Sequence, residues 1–468
     1  MKLIGRTILY TDYEVVDETN LLDVLDKISS DHKTNSEQID YLFRYYKGDQ
    51  PILNRVKEIR PEVNNLIVEN RANEIVSFKT GYLMGEPVQY VARKSDEGIA
   101  EQIMRLNEFV FAEDKARQDK ELADWMHICG TSYRCALPDV VGEEDEAPFE
   151  IEALDPRNTF VVYYNGFGRK PVLGGTYIVT DDGKEVYSVF TKDMKYVVID
   201  EAIVEAIPHL YNGIPIIEYP LNTERLGVFE PVITILDAIN LVESDRANAI
   251  EQFVQSLLVL KNCDLEEEEF RSLKDLGGLK LPDTGDAYYL SQELNQSETQ
   301  TLVDHMYQTV LSICGMPNRN NGTSGGDTGT AIIYRDGYAL AEGRAKNAEL
   351  MFKSSEKEFL KLILNICNQT KEGFNLKLSD IEIRFTRRNY ENILEKSQVL
   401  TTMLANEKIH PRLAFEHSGM FVDSELAYSE SKAYEEENAA KAEASLNAIR
   451  EATINKQKEQ IVEEEGAE

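Results

Sequence analysis

The chain has 468 residues, 42% of them apolar, and 83 acidic against 50 basic side chains give a formal net charge of −33. That apolar share is enough to build real cores, about three domains of ordinary size at this length, and it excludes a wholly disordered chain. The acidic excess excludes coating of DNA or of a membrane through bulk charge attraction, because most of the surface repels polyanions.

The opening residues, MKLIGRTILYTDYE, contain no sustained apolar run, and no run elsewhere approaches the ~18 residues that cross a bilayer. A soluble protein without a standard secretion signal is expected. Residues 19–48 read as two short helices, the second opening on a capping box, TNSE, with Thr34 as cap and Glu37 reaching back. Glycine and proline in YYKGDQPIL break the helix. Leu66, Ile67, Ala72, Ile75 and Phe78 then mark another helix over 64–82, followed by a strand in PVQYVA and a helix over about 98–130. Between 131 and 220, TSYRCAL, FEIEAL, TFVVYY, LGGTYIVT, VYSVFT, KYVVI and IPIIEY alternate or run apolar between turn signals such as DDGK and YNG. This is the pattern of a mostly antiparallel sheet, so the first half is expected to be α+β.

From Glu230 the period changes to that of a long helix. Pro231 suits a first turn, and Ile235, Ile239, Val242, Ala249, Phe253, Leu257 and Leu260 recur at three- and four-residue steps. About 30 residues in this form make a rod of roughly 45 Å. Asp237, Asn240, Ser244, Asn248, Glu251 and Gln255 form a polar stripe on the other face, expected to meet water. An acidic insert follows, in which LKLP and AYYLS flank DTGD as an expected hairpin. Helix returns at a second capping box, Ser297 with Gln300, and repeats Leu302, Met306 and Val310 on one face. A polar, glycine-dotted stretch, GMPNRNNGTSGGDTGTA at 315–331, separates it from a helix running from about Thr328 through Cys367, in which Gly337 and Gly343 invite a bend. DIEIRFTRRN reads as a strand and 391–420 as helical again; the tail from about Glu435 is a solvated helix or a disordered acidic segment.

Catalytic and metal chemistry finds little support. The glycine-rich stretch lacks the lysine of a G-x-x-x-x-G-K-[ST] phosphate loop, and Ser324 in TSGGD is no nucleophile elbow. The six histidines, at 32, 127, 209, 305, 410 and 417, show no zinc-ligand spacing. Five cysteines, an odd number with no C-x-x-C pair, argue against a disulfide framework and for a reducing compartment. DLEEEEF lacks the alternation and central glycine of a calcium loop. No metal, cofactor or catalytic residue is therefore expected. Two other readings stay open at this point: a phosphate-handling enzyme using the glycine loop, with Gly325 and Asp327 as its test positions, and a helical scaffold or adaptor that never encircles DNA.

Four stretches, in this order, resemble one family. They are YYKGDQPIL, NNLIVENRANEIVSFKTGYLMGEPVQY, ERLGVFEPVITILDAINLVESDRANAIEQFVQSLLVLKN and SICGMPNRNNGTSGGDTGTAIIYRDGYALAE. The family is the portal proteins, the head-to-tail connectors of tailed bacteriophages, in the branch of long-tailed phages of Gram-positive hosts, and the likeness runs from about Tyr45 to Phe421. The resemblance implies a non-enzymatic ring, a dodecamer, at one capsid vertex, through which double-stranded DNA is packaged and ejected. It implies an α+β wing over 1–228, a stem helix over 229–261, a clip over 262–296, a second stem helix over 297–315, a tunnel loop over 316–330, a long helix returning to the wing over 331–400, and a crown with an acidic tail over 401–468. Implied partners are further copies of the chain, the DNA, the terminase, major capsid and scaffolding proteins, and a head-completion or adaptor protein, with no membrane; the place is the virion, after assembly in the host cytoplasm.

By the same likeness Arg319, Asn320, Asn321, Thr323, Ser324, Asp327 and Thr328 are DNA-contacting candidates in the tunnel loop, the plain alternative being a connector between helices. Asp237, Asn240, Ser244, Asn248, Glu251 and Gln255 are channel-lining candidates, since DNA must slide and a passage poor in cations adds little salt-sensitive affinity. Glu266, Glu267, Glu268, Glu269 and Lys274 in the clip are partner-contact candidates, or residues that only keep the insert soluble.

Overall fold

A computed structural model describes residues 4–58, 60–93, 97–139, 147–254, 257–262, 284–290, 296–318, 337–370, 373–386, 393–421 and 424–465. The architecture is α+β. A short strand β1 (Leu9–Thr11) precedes α1 (Leu21–Lys47), one helix of 27 residues where two were expected. Thr34 does not cap a new helix: its hydroxyl donates back to the Ser30 carbonyl inside a continuous one, a bond that competes with capping. Asn35 instead faces the chain ahead of β1, exchanging hydrogen bonds with the Thr7 backbone.

The next helix, α2, covers only Arg71–Leu83. Asn70 caps it by accepting from the Asn73 amide, and 64–70 run extended, so Leu66 and Ile67 are not on a helix. After β2 (Gln89–Ala92), the single helix expected over 98–130 is two, α3 (Glu97–Ala112) and α4 (Lys115–Cys129), divided at Asp114 in the left-handed region at φ 51°.

The sheet-rich stretch is as expected from its alternation. β3 (Thr131–Pro138), β4 (Phe149–Leu154), β5 (Thr159–Tyr164), β6 (Pro171–Val179), β7 (Glu185–Phe190), β8 (Met194–Ile199), β9 (Ala202–Pro208) and β10 (Ile216–Pro220) divide into two sheets. One has the order β1-β5-β6-β7-β8-β9, antiparallel except for the parallel β1–β5 pair, and the other β10-β3-β4. The N-terminal half of α1 covers the larger sheet through Leu21, Val24 and Ile28 against Phe160, Val162 and Val198.

The second half of the chain packs back on the first. α5 (Ile233–Val254), entered through a 3₁₀ turn at Glu230–Val232, is shorter than its periodicity suggested: 22 residues, or about 33 Å. LLVLK leaves the helix as β11 (Leu257–Lys261) and pairs antiparallel with β12 (Asp286–Leu290). The AYYL strand therefore exists, but its partner is the end of the apolar run after α5; LKLP lies outside the described residues. β-branched and leucine residues fit either period, which is why the run read as helix. α6 (Gln296–Cys314) starts early enough that Ser297 stands inside its first turn, not before it. α7 (Tyr338–Gln369) begins at Gly337, which lies at its N-terminal boundary and not at a bend within it. β13 (Ile381–Arg384) pairs with β2. Three helices close the chain, α8 (Ile393–Leu404), α9 (Pro411–Ser418) and α10 (Ser424–Glu465); the last packs Tyr428 on Phe415 of α9 and is exposed along its described side chains from residue 429 to 450.

α7 is the keystone of the largest core. Phe352, Phe359, Leu360 and Ile363 pack with α3, α4 and the β10-β3-β4 sheet. A buried ion cluster lies in the same joint. Lys115 reaches Asp119 at 2.6 Å and Glu356 at 2.7 Å, while Arg134, fully buried on β3, pairs with Asp119 and, at 3.3 Å, with Glu356. Tyr90 and Tyr219 donate to the two Glu356 oxygens at 2.6 and 2.7 Å. Burial opposes the charge on Glu356, but Lys115 and Arg134 outweigh it and hold its carboxyl below the usual range.

Two buried histidines stay neutral. His32 lies against the Phe160 ring, and burial lowers its pKa to about 4. His127 shares a 3.0 Å hydrogen bond with Thr80, and burial, then the Lys79 charge, lower its pKa to about 3. An unfolded histidine takes up its proton near pH 6.5, so below that pH the unfolded chain binds more protons and the fold loses about 1.4 kcal/mol per pH unit for each such histidine. The melting temperature should therefore fall between pH 6.5 and 5, before the carboxylates of Glu218 and Glu356 begin to protonate. His127→Gln should flatten that slope; an unchanged slope would remove His127 from the account.

Candidate functional site

The centre of the polar stripe of α5 does not face water. Asn240 and Ser244 are fully buried, and Asn248 is 2% exposed. Each accepts a backbone hydrogen bond from the extended segment 64–70: Asn240 Oδ1 from Glu69 N at 2.8 Å, Ser244 Oγ from Ile67 N at 2.9 Å, and Asn248 Oδ1 from Asn65 N at 2.6 Å. The spacing explains the match. Four helical residues rise about 6.0 Å and two extended residues about 6.6 Å, so every fourth side chain of the helix meets every second amide of a strap running the other way. Asn65 also donates its side-chain amide to Glu251 at 2.7 Å, and Tyr45 donates to Asp237 at 2.9 Å. At the upper end Asn240 donates to Gln50, which bonds Asn70, the cap of α2.

This corrects the expectation that Asn240, Ser244 and Asn248 line a channel: they lace the strap to their own helix. Asp237 and Glu251 are drawn into the same seam, and Gln255 lies outside the described residues. Arg319, Asn320, Asn321, Thr323, Ser324, Asp327, Thr328, Glu266, Glu267, Glu268, Glu269 and Lys274 also lie outside them. A sequence signal for the seam did exist. The stripe's centre is Asn-Ser-Asn at four-residue steps, short acceptors that suit a backbone partner better than they suit the long charged side chains of a solvated face.

Helix α6 joins the same unit. Val310, Leu311 and Cys314 of α6 share a core with Ile75 and Val76 of α2 and with Phe229, Val232, Ile233 and Leu236. Tyr307 donates to Glu74 of α2 at 2.8 Å, and the Arg71 guanidinium lies 4.1 Å over the Tyr307 ring. α6 ends at Gly315, at φ 62°, with the Met316 amide returning to the Leu311 carbonyl and the Gly315 amide to Ser312. That is the left-handed helix stop that glycine accepts without a Cβ penalty. A Cβ at Gly315 would also press on Arg344 of α7 at 3.0 Å. Gly337, at φ 87°, stands against Met316 and Pro317, so the two ends of segment 319–336 meet at one place.

Large apolar side chains remain exposed on both helices: Leu241 and Ile250 on α5, Leu302 and Ile313 on α6. Leu241 and Ile250 are separated by two and a half helical turns and so point to opposite sides. Among the described residues no group of His, Cys, Asp and Glu could hold a metal ion, and no helix is long and apolar enough to cross a membrane.

A family model described as phage portal protein, SPP1 Gp6-like, matches residues 25–444. The portal protein of Bacillus phage SPP1 is 22% identical over 415 residues, which cover 81% of this chain and 79% of that one. Among solved structures, the neck of an empty GTA particle computed with C6 symmetry is similar over 75% of this chain and 90% of its own, at 12% identity and a TM-score of 0.44.

Proposed function

Because the chain belongs to the SPP1 Gp6-like family of phage portal proteins, we propose that the laced pair α5 and α6 is the wall of its channel and that the segment after Asn318 is the part that meets DNA. A portal protein is a ring-forming DNA conduit and docking platform of the phage particle, not an enzyme, and family membership sets aside both the phosphate-handling enzyme and the scaffold that never encircles DNA. The finer assignments are ours: a dodecamer at one capsid vertex, assembled in the host cytoplasm, with residues 262–296 as the clip and Glu266 to Glu269 and Lys274 toward the terminase or a head-completion protein. Residues 1–228 with 331–400 act as the wing toward capsid and scaffolding proteins, and 401–468 act as the crown.

The observation that carries this reading is the strap-laced stem. A heterologous ring closes only if each subunit offers two different faces. With three amides of the strap bonded within the subunit, the stem keeps apolar side chains for neighbours, Leu241 on one side of α5 and Ile250 on the other. Met316 and Pro317, before residues 319–336, and Gly337, after them, stand together at the end of α6. Asn, Thr and Ser of the loop offer neutral donors to phosphate oxygens, and Arg319 adds one cation per subunit, so contact is made without strong salt-sensitive gripping.

The triple replacement of Arg319, Asn320 and Asn321 by alanine tests it. Rings should still form, and packaged DNA length or retention should fall severalfold; full heads at the parent rate would take the loop out of the mechanism.

A further inference from the structure

The Lys79 side chain belongs to none of the apolar cores described above. It projects from α2 to the C-terminal end of α6, where its ammonium donates to the Gly315 carbonyl at 3.0 Å. That carbonyl belongs to the left-handed residue that ends α6, at a helix terminus where the dipole is negative and the last carbonyls lack helical partners. Met316 and Pro317, the next two residues, are buried. The titratable groups that act on the Lys79 charge are the buried Cys314 thiol and Arg344 of α7, and Lys79 in turn acts on the His127 ring, which is tied to Thr80. α2 is itself fixed at its other end, because Asn70, its cap, closes the strap that Asn240, Ser244 and Asn248 hold along α5.

We propose that Lys79 is a positioning residue of the channel segment: its bond to Gly315 fixes the direction in which the chain leaves α6 and ties that direction, through α2 and the strap, to the stem helix α5. The role rests on the reading of the segment after Asn318 as the DNA-facing loop. Arginine in place of Lys79 keeps a charged donor, whereas methionine keeps the apolar stem and loses the bond. Burial lowers the Lys79 pKa to about 8, with Arg344 acting the same way and Cys314 opposing, so the bond is charge-assisted at neutral pH.

Full-length rings of the parent, Lys79→Met and Lys79→Arg, matched by mass and electron micrographs, should be digested briefly with an arginine-specific protease and scored for cleavage after Arg319. A released root should be cut several times faster in Lys79→Met, with Lys79→Arg near the parent and cleavage after Arg169, far along the wing sheet, equal in all three. Equal cleavage after Arg319 in all three would overturn the proposal, as would Lys79→Arg behaving like Lys79→Met. The same rings in a packaging reaction separate the two readings. Faster cleavage with reduced packaging supports both, whereas faster cleavage with unchanged packaging keeps the Lys79 anchor and removes the loop from DNA handling. Should Lys79→Met rings fail to assemble, Lys79→Gln, which retains a neutral donor, is digested in their place and should fall between Lys79→Arg and a released root.

Discussion

Glu356→Ala should cost about 3–5 kcal/mol, because it leaves Lys115 and Arg134 buried with Asp119 as their only carboxylate partner among the described residues and strips both tyrosine hydroxyls of their acceptor. The expected reading is a drop on the order of 5–15 °C in the melting temperature of the assembled chain, with much of the protein insoluble. A charge-matched double replacement makes the cause testable. Lys115→Met with Glu356→Gln removes one cation and one anion and keeps the Arg134–Asp119 pair, so it should recover most of the loss. If the double variant is as unstable as Glu356→Ala, the deficit comes from packing around Phe352 and Phe359, and the electrostatic account of the joint is wrong.

The second large effect is expected from Asn240→Ala, Ser244→Ala and Asn248→Ala combined. Each removes an acceptor from a strap amide that is only partly shielded, so each costs about 0.5–1.5 kcal/mol, and the three together about 2–4 kcal/mol. The loss should be local, since the α5 core residues Ile233, Leu236 and Ile239 stay in place. Hydrogen exchange resolved to single amides reads it directly. In the parent, the amides of Asn65, Ile67 and Glu69 should exchange slowly and those of Leu66 and Val68, which point the other way, quickly. In the triple variant the alternation should vanish, with the three slow amides speeding up roughly tenfold or more, since about 1.4 kcal/mol of opening free energy corresponds to a factor of ten. Rapid exchange at all five positions in the parent would mean that the seam does not hold.

Those two joints also show what the sequence could and could not disclose. The sheet of 131–220 was legible because its short runs alternate or stay apolar between turns that carry Asp, Gly and Asn. The family was legible from four ordered stretches, and the α+β class from the sheet pattern of 131–220 beside the helical periods that precede it. The strap was not, because Leu66, Ile67, Ala72 and Ile75 fall on helical spacing by coincidence; Asn70, read as a helix interior, is the residue that starts the helix. The end of α5 was misplaced for a related reason. LLVLK is apolar enough for either element, and only its pairing with β12 decides.

The polar stripe was seen and assigned to the wrong partner. Periodicity reports that a helix face is polar, but not whether water, DNA or a neighbouring backbone meets it. Arg134 and Glu356 were invisible for a stronger reason: 222 residues separate them, and nothing local to either marks it as buried. Lys79 likewise acquires meaning only when α2 is placed against the end of α6, 236 residues further along the chain.

An electron cryo-microscopy reconstruction of the assembled ring, at a resolution that shows asparagine side chains, tests the central claim most directly. Asn240, Ser244 and Asn248 should point into residues 65–69 of the same subunit, with other side chains of α5 and α6 presented to the bore. Finding those three side chains bared to the axial channel, with the 64–70 segment elsewhere, would contradict it.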